Sequence, residues 1–115
     1  MATKEEVRTF LNTFRDKSKV WGIVFSDYRG KNTQALLDLD ITPIERDKVI
    51  DELKVVDYSN GPLDDKLYGK AKMWVFGKIV KDKEVYIKIT LGAVSAKVVC
   101  ISFHSAKYSM SYPFK

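Results

Sequence analysis

Glu84-Val85-Tyr86-Ile87-Lys88-Ile89-Thr90-Leu91 alternates polar and apolar side chains at every step. A period of two belongs to a strand with one buried and one wet face. It sets Val85, Ile87 and Ile89 towards a core and Glu84, Tyr86, Lys88 and Thr90 away from it. Lys81-Asp82-Lys83 turns the chain before this stretch, and residues 92–96 turn it after. Residues 72–80 and 97–104 read as flanking strands, and connections this short favour antiparallel neighbours. On the later strand, Val99, Ile101 and Phe103 are the expected core partners. Cys100, Ser102 and His104 then share a side with Tyr86 and Lys88. On the earlier strand, Lys78 shares a side with Trp74 and Phe76, but both faces there are apolar, so periodicity leaves its side open. Trp74, Phe76 and Trp21 fit a core better than a stacking platform, and Cys100 also fits as a small core residue.

The first half of the chain follows a helical period. Val7, Phe10, Leu11 and Phe14 form the stripe of an amphipathic helix, which Thr3 and Glu6 can cap. Lys17-Ser18-Lys19 is the expected end of that helix. Residues 20–25 read as a short strand. Arg29-Gly30-Lys31-Asn32 reads as a turn, and residues 34–39 suit a short helix. Thr42-Pro43-Ile44-Glu45 combines a capping threonine, a proline at the first helical position and the matching glutamate. It predicts a helix over 43–53 that buries Ile44, Ile50 and Leu53. Residues 57–65, with Asn60-Gly61-Pro62 at their centre, read as a loop.

Together these elements predict one α+β domain over 1–115, with N-terminal helices packed on an antiparallel sheet that ends in a three-stranded meander. At 115 residues the chain has room for one core. Its 20 Lys and Arg against 15 Asp and Glu give a net charge of +5, which suits a surface that meets phosphates or an acidic protein. One cysteine allows no intrachain disulfide. The charged N-terminus and the lack of a long apolar run predict a cytoplasmic protein with no membrane association.

The wet sheet face is the candidate for chemistry. Tyr86, Lys88, His104 and Lys78 form a set suited to phosphate chemistry. Lysines hold a phosphate and stabilise charge developing on it. Imidazole exchanges protons most readily near neutral pH and can act as general acid or base. A tyrosine can stack on a base. Each also has a plainer reading, as a solvated or structural sheet residue. Ser102 has neither a second histidine nor a placed carboxylate to activate it. A single His and a single Cys cannot build a zinc site, and no glycine-rich phosphate loop is present, so no cofactor is expected.

The segment Glu84-Val85-Tyr86-Ile87-Lys88-Ile89-Thr90, followed by Val99-Cys100-Ile101-Ser102-Phe103, resembles the end of the motility quorum-sensing regulator (MqsR) toxins. That family has a V-Y-L-K-I-T strand and then a strand ending in S-F. Gln34-Ala35-Leu36-Leu37-Asp38-Leu39-Asp40 and Asp57-Tyr58 look like its middle portion. The resemblance implies a RelE-like fold and a bacterial type II toxin: a metal-independent endoribonuclease that cleaves messenger RNA and is held inactive by a cognate antitoxin protein. Tyr86 matches the family's functional tyrosine. The functional lysine after S-F falls on His104, and the functional glutamine after the tryptophan falls on Val75. Lys66, Lys70 and Lys72 lie near the place of a further lysine. On this reading His104, Tyr86 and Lys88 are catalytic, and Lys78, Lys72 and Lys115 of the basic tail bind substrate. The rival readings are a catalytically inactive RelE-like module that binds RNA or a protein, and an interaction domain using Tyr108, Tyr112 and Phe114.

Overall fold

The computed structural model describes residues 1–26, 30–64 and 71–115. Arg29, Asp65, Lys66 and Lys70 lie outside them. Among the described residues, three α-helices pack against a five-stranded mixed sheet of order β1-β5-β4-β3-β2.

Helix α1 (Lys4–Trp21) opens on the expected capping box between Thr3 and Glu6, and it buries Val7, Phe10, Leu11 and Phe14. It runs past Lys17-Ser18-Lys19, because lysine and serine are compatible with helix and the stop is Gly22, with φ 88°. Val20 and Trp21 therefore sit on its last turn and are exposed, correcting both the strand start and the core placement of Trp21. Strand β1 keeps only Ile23–Phe25. Helix α2 (Lys31–Leu39) begins earlier than its apolar residues suggest and takes in Lys31 and Asn32. Helix α3 (Pro43–Asp51) has the capping box of Thr42 and Glu45. Ile50 and Leu53 are buried, but Ile44 is 81% exposed. Its neighbours Pro43 and Glu45 are exposed too, while Arg46 is the first-turn residue that reaches the sheet, over the Phe25 ring.

The expected loop at 57–65 is mostly structured. A 3-10 turn at Val55–Asp57 leads into β2 (Tyr58–Leu63), which pairs antiparallel with β3 (Met73–Val80) through two irregular steps. Tyr58 is fully buried among the rings of Trp74, Phe76 and Phe114. β3 pairs antiparallel with β4 (Lys83–Thr90), and β4 with β5 (Val98–Ser105). β1 joins β5 in parallel, so the sheet is mixed rather than antiparallel throughout.

The register fixes the two faces. Val85, Ile87 and Ile89 face the helices and are inaccessible to solvent. Between the pairs Lys88↔Ser102 and Ile89↔Cys100, Ile101 is an extra residue on β5. This bulge reverses the alternation along β5. Phe103 faces the core as expected, but Val98 and Cys100 join it there, in place of Val99 and Ile101. Ser102 and His104 stay on the open side, opposite Lys88 and Tyr86.

A basic, aromatic cleft on the open sheet face

Tyr86 and His104 are directly paired across β4 and β5. Their rings stack with centroids 5.3 Å apart and planes 15° from parallel. Lys88 and Ser102 are the next pair on the same face. These four side chains, with Val75 of β3, line a cleft of about 600 Å³, within the usual range for ligand sites. One wall comes from Ser59 and Asn60 of β2. The other is the segment 106–111, which folds back over the sheet after β5.

Glu84 holds that segment. Its carbonyl accepts from the Ala106 N–H at 2.8 Å. Its carboxylate accepts from the Met110 N–H at 3.2 Å and the Tyr112 hydroxyl at 2.7 Å. Tyr112 lies against Gly77, where any Cβ would overlap its ring. Farther on, Phe114 stacks on the buried Tyr58 at 5.3 Å. The tail is thus anchored at two points. Of its three aromatics only Tyr108 is well exposed, which removes Tyr112 and Phe114 from the free aromatic surface considered above.

His104 is half-buried, and its Nδ1 lies 2.9 Å from the Ser105 carbonyl. A carbonyl only accepts, so Nδ1 carries the proton, and Nε2 is the acceptor in the neutral ring. Burial pushes the Tyr86 phenol above its usual range and keeps it a hydrogen-bond donor. Cys100 is buried, with its thiol pushed up to about 12 by desolvation. It is a core residue and no nucleophile.

The lysines divide sharply. Lys78 lies on the helix side of the sheet, paired with Asp57 Oδ2 at 3.1 Å. Lys72 is ion-paired with Asp64 and borders a different hollow, near Phe10 and Trp74. Lys115 lies 5.4 Å over the Tyr112 ring, outside the residues that line the cleft. The structure therefore does not bring Lys78, Lys72 and Lys115 to Tyr86 and His104. Lys88 does line the cleft, as does Lys107, which the sequence reading passed over. Neither has a carboxylate partner among the described residues. A lysine followed by a tyrosine just after His104 was a usable signal, but the fold-back that brings Lys107 to the cleft has no local signature. Among the described residues no three His, Cys, Asp or Glu side chains converge as a metal site, and no helix is long and apolar enough to cross a membrane.

No family model, curated protein or solved structure matches the chain. The fold and the cleft define an α+β protein with a cationic groove bearing a stacked tyrosine–histidine pair.

Proposed function

We propose that the chain is a metal-independent endoribonuclease with a RelE-like fold, acting on messenger RNA as the toxin of a bacterial toxin–antitoxin pair. One observation carries this reading. A histidine whose Nδ1 is turned to a backbone carbonyl stacks on a tyrosine in a cleft that also holds Lys88, a lysine with no carboxylate partner among the described residues. The segments around Tyr86 and Phe103 that resemble MqsR toxins supply the floor of that cleft.

In this mechanism His104 Nε2 takes the proton of a ribose 2′-hydroxyl. The 2′-oxygen bonds to the adjacent phosphorus, and the bond from phosphorus to the 5′-oxygen breaks. That oxygen leaves with a proton drawn from solvent, and the imidazolium returns its proton to solvent. The products are a 2′,3′-cyclic phosphate and a 5′-hydroxyl. Lys88 stabilises the extra negative charge on the phosphoryl oxygens. Tyr86 orients the substrate through its ring and its protonated hydroxyl. Lys78, on the other side of the sheet, has no part in the step.

The purified chain, freed of any antitoxin, should cut RNA into fragments with cyclic phosphate ends and arrest growth when expressed in bacteria. His104→Ala should slow cleavage by roughly 10²–10⁴-fold, the usual range for a lost general base. Absence of cleavage by the wild type, or an unchanged rate in H104A, rejects the reading.

A second reading rests on Val75, which places an apolar, 2% exposed side chain in the floor of the cleft. The resembled family has a functional glutamine there. A module that binds RNA without cutting it would keep full affinity in H104A and release no fragments.

A further inference from the structure

His104 and Lys107 each line two cavities. One is the cleft. The other is a hollow of about 280 Å³ formed with Lys31, Gln34, Ala35 and Asp38 of α2. The two cavities adjoin because β1 pairs only with Val98–Cys100, while α2 packs against β5 and brings its side chains up to His104 and Ser105. A chain of nucleotides running along the cleft would therefore meet α2 immediately beyond His104.

The hollow separates two kinds of chemistry. Lys31 and Lys107 are cations with no carboxylate partner among the described residues. Gln34 Nε2 donates to Asp38 Oδ1 at 2.9 Å. That bond orients the pair and leaves Asp38 Oδ2 and Gln34 Oε1 as neighbouring acceptors. A carboxylate repels phosphate and accepts from base amines. Phosphate therefore belongs beside the lysines, and a base edge belongs beside Asp38.

Building on the RNA reading of the cleft, we infer that α2 supplies a second nucleotide subsite, in which Asp38 and Gln34 read the base adjoining the scissile phosphate. Two neighbouring acceptors favour a base with an exocyclic amine over uracil, whose facing edge offers a single N–H.

Dinucleotides blocked by a 2′-O-methyl group cannot be cleaved, so their binding reports the subsite separately from catalysis. CpC should bind roughly tenfold more tightly than UpU, the size of one good base-edge contact. Asp38→Ala should abolish that preference while the affinity for UpU stays within about twofold. Gln34→Ala, which frees Asp38 to turn, should weaken the preference and serves as a second probe of the same site. Equal binding of CpC and UpU by the wild type, or a preference that survives both substitutions, overturns the subsite. A chain that shows the preference yet cuts no RNA keeps the subsite and loses the enzyme. A chain that cuts RNA without the preference does the reverse.

Discussion

Glu84 shows how much one side chain can organise here. Alternation put it on the wet face of its strand, which is correct, but wet faces normally carry solvated charges. In this chain its carbonyl and carboxylate hold the segment that walls the cleft. Removing one of those bonds tests the arrangement. Tyr112→Phe loses the hydrogen bond to Glu84, at a cost of about 1 kcal/mol, readable in urea unfolding. The same residue gives a pH dependence. Burial first, and then the Glu84 carboxylate, raise the Tyr112 pKa, and burial raises that of Tyr86. A phenol with a raised folded pKa keeps its proton where the unfolded chain has lost it. The resulting stability is complete below about pH 10, the ordinary phenol value, and falls as pH rises beyond it. Tyr112→Phe should flatten that alkaline decline, and an unchanged slope would mean that Tyr112 is not held as described.

At the level of elements, what was legible depended on how local the cause is. The start of α3 could be read because threonine, proline and glutamate at fixed spacing satisfy their own helix's amides. Thr42→Ala should cost about 1 kcal/mol of stability, with an unchanged denaturant slope. Ile44→Lys, two residues on, should change stability by less than about 0.5 kcal/mol, because Ile44 faces solvent. β4 could be read for a similar reason, since its period needs no partner to be visible. β2 could not. Its Asn60-Gly61-Pro62 carries loop signals, and only pairing with β3 and burial of Tyr58 make it a strand. The bulge at Ile101 was equally hidden, because an extra residue in an apolar run leaves the composition of that run unchanged. Tyr86, Lys88 and His104 still fell on the expected face, since the bulge lies upstream of Ser102. Lys78 did not, because a strand apolar on both sides gives no phase. Lys107 and the α2 residues reach the site through tertiary contacts alone.

Across the whole molecule the net charge of +5 overstates what the cleft can use. Lys72, Lys78 and Lys81 are ion-paired, whereas Lys88, Lys107 and Lys31 border the proposed path of the nucleic acid. Three phosphate contacts on a single strand give a slope of about −2 for log K against log salt, and Lys107→Ala should reduce its magnitude by about 0.7. A slope near zero would mean that these lysines do not meet phosphate. The parallel pairing of β1 with β5 has a different consequence, in time rather than space. β3 and β4 meet across a turn at Lys81-Asp82, whereas Ile23 finds Val98 only after most of the chain has been gathered in. Closing so long a loop costs more entropy than closing a hairpin, and such contacts slow folding. The β3-β4-β5 hairpins should therefore be formed in the folding transition state while β1 is still free. Val85→Ala should slow folding, and Val24→Ala should chiefly speed unfolding. By that order the floor carrying Tyr86, Lys88 and His104 assembles early, and the edge beside it, where β1 and α2 meet β5, closes last.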